Sequence, residues 1–294
     1  MTELVVISGK GGTGKTSLTA SFASLADRPV IADCDVDAAD LHLVLNPQVK
    51  ERHDFYSGHK AFIRPELCTG CGICADACHF DAIKEIQKPG QQTVFTIDPI
   101  SCEGCGVCVR VCPVQAVDFP ERLCGEWMVS ETLYGPMVHA KLGVAAENSG
   151  KLVSTVRREA ARIAAEENRN LIIIDGPPGI GCPVIASITG ASQILVVTEP
   201  TVSGEHDLER VLSLARHFDI SAAVCVNKWD LNCEMTERIE ELAVRLGSKI
   251  AGRIRYDRSV TLAQIRAQAV VETEAPCVED IKNIWNFLIS QEIS

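Results

Sequence analysis

The sequence predicts an α/β fold in which a parallel sheet, covered by helices on both faces, is interrupted by a cysteine-rich module. Short apolar runs alternate with segments of helical spacing before about residue 45 and again after about residue 150. Such alternation is typical of parallel strands joined by crossover helices. Between these regions, eight of the 14 cysteines lie in the segment from Cys68 to Cys112. The module is therefore predicted to be an insertion at 61–119, between sheet-forming parts at 1–60 and 120–294.

The strands and helices of the predicted sheet domain can be assigned to individual segments of the sequence. The apolar runs predict buried strands, and they are Leu4–Ser8, Pro29–Asp33, Leu171–Asp175, Ile194–Thr198, Ala222–Val226 and Ile250–Ile254. Helical spacing predicts helices at Thr16–Leu25, Gly150–Asn168, Ser203–His217, Glu234–Leu246 and around Ile281–Leu288. The polar stretch 46–59 is interpreted as a linker. The stretch 135–140 is interpreted as a loop or a partner surface.

Composition limits the classes of function. Aromatic residues make up 5% of the chain, and the formal net charge is −11. Few aromatic side chains argue against base stacking, and negative charge repels phosphate backbones and anionic lipids. The C-terminal helix has acidic neighbours, whereas a membrane-targeting helix needs basic ones, so we expect this helix to pack on the core. We therefore expect a cytoplasmic protein without nucleic-acid binding or stable membrane association.

A glycine-rich loop follows the first predicted strand and opens the first helix. Its residues are Gly9, Lys10, Gly11, Gly12, Thr13, Gly14, Lys15 and Thr16. They fit the P-loop pattern, in which backbone N–H groups surround phosphate oxygens. Lys15 is then expected to reach the outer phosphates, and Thr16 to place its hydroxyl on Mg²⁺. The alternative, a glycine-rich turn without a ligand, is the weaker interpretation because motif and context agree. The expected ligands are ATP and Mg²⁺.

Lys10 adds a family resemblance. A lysine directly after the first glycine resembles the signature lysine of the deviant-Walker ATPases, the SIMIBI-class family of MinD, ParA, the Mrp-type cluster carriers and the nitrogenase iron protein. In that family the lysine contacts nucleotide across a dimer interface. The resemblance therefore implies a nucleotide-dependent homodimer, with Lys10 acting in catalysis. A solvated surface lysine is the alternative interpretation.

Other family motifs follow in the expected order. Asp33-Cys-Asp35-Val-Asp37 ends the second strand, and the resemblance implies that Asp35 positions or activates water with Asp33 in support. Asp175-Gly-Pro-Pro-Gly179 is similar to the family's switch, which places Asp175 in the Mg²⁺ shell and lets the following loop sense the γ-phosphate. Helix caps are the alternative role for such aspartates. Asn227 resembles the family's adenine-contacting asparagine, and Arg255 replaces a proline near the base.

The cysteine module repeats one unit twice. Both copies have the spacing C-x₂-C-x₂-C-x₃-C, which resembles the bacterial dicluster ferredoxin, a small α+β fold. In that pattern the fourth cysteine of each run ligates the other cluster. The resemblance assigns Cys68, Cys71, Cys74 and Cys112 to one [4Fe–4S] cluster, and Cys102, Cys105, Cys108 and Cys78 to the second. Zinc is the competing ligand, but four cysteines per run exceed what one tetrahedral zinc ion needs.

Two residues, His79 and Cys182, are interpreted separately from the repeated cysteine motif. His79 follows Cys78, where the second run has Pro113 after Cys112. This histidine is not expected to prevent cluster binding, but it can alter the potential of the nearer cluster. Cys182 closes the switch loop that begins at Asp175, as a cluster ligand does in the nitrogenase iron protein. A cluster shared across a dimer and a plain buried thiol are the two interpretations, and the thiol is favoured.

The expected function is an ATPase that couples nucleotide-driven dimerisation to electron transfer through two [4Fe–4S] clusters. The expected partners are a second copy of the chain and a redox or cluster-accepting protein. Two alternatives remain at this point. One is an iron–sulfur cluster carrier, although no additional C-x₂-C pair lies outside the module. The other is a positioning ATPase whose clusters sense redox state.

Overall fold

The structure is a computed structural model, and it describes residues 1–87, 93–143 and 149–291. The chain divides into two compact units. The first comprises residues 1–53, 126–142 and 148–294, and the second comprises 54–125 and 143–147.

The described residues include thirteen β-strands. They are β1 (Thr2–Ser8), β2 (Val30–Asp33), β3 (Gln48–His59), β4 (Phe62–Ile63), β5 (Ile83–Ile86), β6 (Val94–Ile97), β7 (Val117–Asp118), β8 (Glu121–Glu131), β9 (Pro136–Leu142), β10 (Leu171–Pro178), β11 (Gln193–Thr198), β12 (Ala222–Asn227) and β13 (Lys249–Ile254).

Helices alternate with these strands. They are α1 (Lys15–Leu25), α2 (Leu41–Leu45), α3 (Ile73–Asp76), α4 (Val107–Val111), α5 (Ser149–Glu166), α6 (Cys182–Ile188), α7 (Val202–His217), α8 (Cys233–Arg245), α9 (Ser259–Ile265) and α10 (Cys277–Gln291). Short 3₁₀ turns occupy Trp229–Leu231 and Val270–Glu272.

A nine-stranded sheet has the order β13-β12-β11-β1-β10-β2-β9-β8-β3. Each neighbouring pair from β13 to β9 is parallel. Because parallel strands end at the same edge, the pairing of Val6 with Asp175 and of Asp175 with Asp33 brings their following loops together. The prediction of a parallel α/β sheet is confirmed.

Two apolar layers cover this sheet. Helix α10 buries Ile281, Ile284, Trp285 and Leu288, and the Trp285 ring lies 5.2 Å from the Phe22 ring of α1. This is the core-packing role expected for the C-terminal helix. Helix α5 buries the face predicted by its spacing, from Leu152 to Ala164. Among the described residues, no helix combines the length and apolar character needed to span a membrane.

Two sequence interpretations were wrong. The stretch interpreted as a linker, 46–59, contains the long strand β3. Most of its side chains are exposed, so the apolar periodicity that marks a strand is absent. The stretch interpreted as a loop, 135–140, contains most of β9, whose first five residues are buried beside β2. Gly135 and Pro136 at its start give a turn signal that conceals the strand.

The second unit has the internal repeat expected from the cysteine spacing. β4 pairs with β7 and β5 pairs with β6, each antiparallel. Helices α3 and α4 begin directly after Gly72 and Gly106, which have left-handed φ values of 77° and 72°. A side chain would be strained at these angles, so glycine is needed at both positions. The two halves of the repeat therefore have the same local structure.

Candidate functional site

The P-loop forms one wall of a cleft of about 840 Å³. Residues from Gly12 to Ser17 line this wall, and the other walls come from α2, α9 and the loops after β12 and β13. Gly12 and Gly14 have φ values of 79° and 89°, a backbone conformation open to glycine that turns successive N–H groups towards one point. The cleft therefore suits a phosphate-bearing ligand. Gly9 and Gly11 complete the loop, and Gly9 lies against Asp207 of α7.

Lys15 lies at the centre of a buried charged cluster. Its Nζ donates to Asp35 Oδ2 at 3.0 Å and lies 3.7 Å from Asp175 Oδ1. Thr16 Oγ1 donates to Asp175 Oδ2 at 2.8 Å, and Thr19 Oγ1 donates to Asp175 Oδ1 at 3.1 Å. The structure thus brings the predicted residues of the P-loop, β2 and β10 together.

The charged cluster around Lys15 contains three acidic side chains, those of Asp33, Asp35 and Asp175. Burial lowers the pKa of Lys15, but the carboxylates of Asp175 and Asp35 outweigh burial and raise it. Burial, reinforced by Asp175, raises the pKa of Asp33 well above its ordinary value. Asp33 Oδ2 and Thr13 Oγ1 are buried and have no hydrogen-bond partner among the described residues. The Thr16 hydroxyl and the Asp175 carboxylate, which lie 2.8 Å apart, are oxygen donors of the kind that Mg²⁺ prefers.

Lys10 lies on the other side of the P-loop. Its Nζ donates to Thr201 Oγ1 at 3.2 Å and to Ser203 Oγ at 3.1 Å, and it lies 3.5 Å from Glu199 Oε2. About a third of its side chain is exposed (30%). Lys10 is therefore held by hydrogen bonds to residues at the β11–α7 connection, although part of its side chain is exposed to solvent.

The far end of the cleft is formed by the loops after β12 and β13. Asn227 Nδ2 donates to the Thr13 carbonyl at 2.8 Å, and Asn227 Oδ1 accepts from the Lys228 N–H at 2.9 Å. Arg255 lines the cleft and is paired with Asp280 through contacts of 2.6 and 2.8 Å. Asn227 is thus tied to the P-loop, and its contact with a base stays a prediction.

We expect Gly14→Ala to destabilise the fold by about 1–3 kcal/mol, because φ is 89° and a Cβ would lie 2.4 Å from Asn227 Nδ2. Gly11→Ala is the matched control, since a Cβ there meets nothing within 4 Å. Urea unfolding followed by circular dichroism measures both variants. Equal unfolding free energies would contradict the expected strain.

The eight cysteines of the repeat form the second candidate site. Six of them belong to a small apolar core or pack against it, whereas Cys71 and Cys105 are exposed. A narrow cavity is lined together by Cys78, Cys102, Cys105 and Cys108. Cys78 belongs to the first run and the other three to the second, and these are the four cysteines that the resemblance assigns to one cluster; their ligation stays a prediction. The Ala116 N–H donates to Cys112 Sγ at 3.2 Å, a hydrogen bond of the kind that tunes cluster potential.

The spacing of these cysteines bears on the choice of metal. Within the described ranges, no three His, Cys, Asp or Glu side chains are gathered so that they could hold a metal ion. The eight thiols come instead as two runs of four with the spacing C-x₂-C-x₂-C-x₃-C, and four thiols per cluster is a donor set that fits [4Fe–4S]. His79 is exposed beside Cys78.

Cys182 is exposed at the start of α6 and is not a buried thiol. The interpretation of Cys182 as a buried thiol was therefore wrong. The switch loop ahead of Cys182 includes Gly179, whose N–H donates to the Ser8 carbonyl at 2.9 Å.

Comparisons with known proteins bear on the fold and on the cysteine-rich module. Residues 67–116 match the family described as a 4Fe-4S dicluster domain. The chain is 34% identical over 234 residues to the uncharacterized protein MJ0578 of Methanocaldococcus jannaschii, a match that covers 78% of this chain and 79% of that protein. Among solved structures, the cell division ATPase MinD of Pyrococcus furiosus has a TM-score of 0.58 at 17% identity, covering 99% of both chains. MinD of Pyrococcus horikoshii OT3, complexed with Mg-ADP, also has a TM-score of 0.58, at 16% identity, covering 98% of this chain and 96% of that chain.

The chain has the fold of the MinD/ParA-like P-loop ATPases, with a 4Fe–4S dicluster domain inserted into it. Within that class, the chain belongs to the family of MJ0578 from M. jannaschii.

Sequence reasoning missed two residues that contact the predicted site residues. Thr19 contacts Asp175 from the second turn of α1, and Glu199 lies between Lys10 and Lys228. Glu199 follows the end of β11, so the rule that singled out Asp35 and Asp175 at strand ends could have found it. Thr19 carries no such signal, since it is one of several small polar residues in a helix.

Proposed function

We propose that the protein binds and hydrolyses ATP with Mg²⁺ and couples nucleotide-driven dimerisation to electron transfer through two [4Fe–4S] clusters. The observation that carries this proposal is the buried cluster in which Lys15 lies 3.0 Å from Asp35 and Thr16 lies 2.8 Å from Asp175. This arrangement supports phosphate and metal binding by these residues, in a chain that also matches a 4Fe–4S dicluster domain.

The P-loop residues have separate roles in this proposal. The backbone N–H groups from Gly9 to Gly14 bind phosphate oxygens. Lys15 exchanges its contacts with Asp35 and Asp175 for the outer phosphates, and its raised pKa keeps it protonated. The Thr16 hydroxyl becomes a metal ligand, and Asp175 orients that hydroxyl.

Asp35 is the proposed water-positioning residue. It is 7% exposed, and Lys15 is its hydrogen-bond donor before nucleotide binds. Once Lys15 turns to phosphate, a carboxylate oxygen of Asp35 is free to accept from water at the same edge of the sheet. Asp33 supports it by accepting the Asp35 N–H at 3.1 Å.

Lys10 is the proposed dimer-sensing residue. Its partial exposure leaves the ammonium within reach of a second copy of the chain, while Glu199, Thr201 and Ser203 hold it in a defined position. When the second copy holds nucleotide, Lys10 leaves these three partners and contacts a phosphate of that nucleotide. Dimerisation therefore depends on bound nucleotide.

The cysteines hold the redox centres. Cys68, Cys71, Cys74 and Cys112 ligate one cluster, and Cys102, Cys105, Cys108 and Cys78 ligate the other. When bound, the clusters supply one-electron chemistry and Mg²⁺ neutralises phosphate charge. The domain boundaries that accompany this proposal are 1–60, 61–119 and 120–294.

The test uses anaerobically purified protein. Phosphate release measures MgATP hydrolysis, and iron analysis with electron paramagnetic resonance before and after turnover counts the clusters. We expect hydrolysis, and about eight iron atoms per chain that remain after turnover. Transfer of iron to an apo-acceptor during turnover would favour the cluster carrier instead, and an absence of hydrolysis would overturn the ATPase proposal.

A further inference from the structure

Glu199, the residue directly after β11, lies between two lysines. Its Oε2 lies 3.5 Å from Lys10 Nζ, and its Oε1 accepts a hydrogen bond from Lys228 Nζ. The Glu199 side chain is 14% exposed, so both ion pairs are partly shielded from solvent and salt. One carboxylate is therefore shared by two ammonium groups.

The backbone around Glu199 is closely packed. The Glu199 carbonyl accepts the Thr201 N–H at 2.8 Å, and a Cβ at Gly204 would lie only 2.3 Å from the same carbonyl oxygen. The Gly204 N–H in turn donates to Thr201 Oγ1 at 3.0 Å. The backbone that carries the Glu199 carboxylate therefore has little freedom to move away from the two lysines.

Lys10 has two kinds of partner. The hydroxyls of Thr201 and Ser203 accept from its Nζ at 3.2 and 3.1 Å, and these neutral groups orient the ammonium. Of the three partners, only Glu199 is charged, and a charged partner attracts an ammonium more strongly than a hydroxyl does. The Glu199 carboxylate is therefore the main attraction that Lys10 must overcome to leave this position.

Lys228 competes with Lys10 for the same carboxylate. Its Nζ also donates to the Gly12 carbonyl of the P-loop at 3.4 Å, and its side chain lines the nucleotide cleft. Because like charges repel, the Lys228 ammonium weakens the net attraction of the Glu199 site for Lys10. The two lysines are thus coupled through Glu199 although they lie on opposite sides of one carboxylate.

We propose that Glu199 is a positioning residue that holds Lys10 in the monomer, and that Lys228 sets how firmly Lys10 is held. Removing the charge of Glu199 then eases the release of Lys10 towards a second copy of the chain, whereas removing the charge of Lys228 hinders it. This inference rests on the proposed nucleotide-dependent dimerisation and adds the two residues that set its threshold.

The test measures the dimer dissociation constant of the anaerobically prepared full chain by sedimentation, with Mg²⁺ and a saturating non-hydrolysable ATP analogue. We expect Glu199→Gln to lower this constant about 2- to 5-fold and Lys228→Met to raise it about 2- to 5-fold, the size typical of one partly exposed ion pair. A merely structural ion pair would move both constants in the same direction, because either variant breaks the same contact.

Glu205→Gln is the matched control. Glu205 lies in the first turn of α7, and its carboxylate accepts from Arg238 at 2.9 Å. Its dimer constant should equal that of the unchanged protein. Since Lys228 lines the cleft, calorimetric titration with the same analogue establishes saturation for each variant. An unchanged constant in Glu199→Gln, or a shift of Glu199→Gln and Lys228→Met in one direction, would overturn the inference.

Failure of the inference is distinguishable from failure of the proposed function. If the unchanged protein dimerises and the two variants do not shift in opposite directions, only the inference fails. If the unchanged protein stays monomeric with the analogue, the proposed dimerisation fails. The rate at which an amine reagent labels Lys10, followed by mass spectrometry, then measures how firmly the monomer holds this side chain. We expect faster labelling in Glu199→Gln and slower labelling in Lys228→Met, and equal rates would overturn the inference.

Discussion

Replacing Lys15 with alanine should lower kcat for MgATP hydrolysis by at least about 100-fold. The Lys15 ammonium is buried between Asp35 and Asp175, at 3.0 and 3.7 Å, and it is the residue placed to stabilise charge on the outer phosphates. Its loss also leaves buried carboxylates without their cation, which typically costs about 3–5 kcal/mol of stability. Phosphate release measures the rate, and circular dichroism follows folding.

Two further variants separate catalysis from folding. Thr16→Ala keeps the lysine but removes the hydroxyl 2.8 Å from Asp175, so hydrolysis should fall while the charged cluster stays paired. Lys84→Ala changes an exposed lysine of the second unit and should leave the rate unchanged. A Lys15→Ala protein that is folded and retains more than about a tenth of the rate would contradict the assigned role.

Loss of either Cys78 or Cys105 should remove the same cluster. Both cysteines line one cavity although they belong to different runs of the sequence. We expect Cys78→Ser and Cys105→Ser to reduce iron from about eight to about four atoms per chain, with the same electron paramagnetic resonance signal lost in both. Cys71→Ser should remove the other signal.

Cys182→Ser is the matched control for these variants, since Cys182 is an exposed cysteine outside the repeat. Its iron content should equal that of the unchanged protein, and a loss of iron there would instead favour a cluster shared between two copies. If Cys78→Ser lost the same signal as Cys71→Ser, the crossed assignment of ligands would be wrong.

Much of the sheet could be predicted because its strands are buried on both faces. Ile172, Ile173 and Ile174 have no exposed surface, and such strands read as continuous apolar runs. β3 could not be predicted because its charged residues, among them Lys50, Glu51 and Arg52, lie in an edge strand with most of its surface in solvent. Burial pattern, rather than strand propensity, therefore decided which elements were found.

The candidate sites also contain residues that the sequence could predict and contacts that it could not. Lys15, Asp35 and Asp175 carry local signals, since each lies in a motif beside the end of a strand. The contacts of Lys10 with Thr201 and Ser203 cross more than 190 positions of sequence, and the bond from Asn227 to Thr13 crosses 214. Such partners depend on how the strands are ordered in the sheet, which spacing along the chain does not encode.

The most direct test of the central claim, coupling between nucleotide and clusters, is the rate of MgATP hydrolysis by anaerobically prepared protein with its clusters first oxidised and then reduced. Electron paramagnetic resonance on the same samples establishes the redox state. We expect the rate to differ between the two states, with both clusters retained after turnover. Equal rates, with the clusters intact in both samples, would contradict coupling.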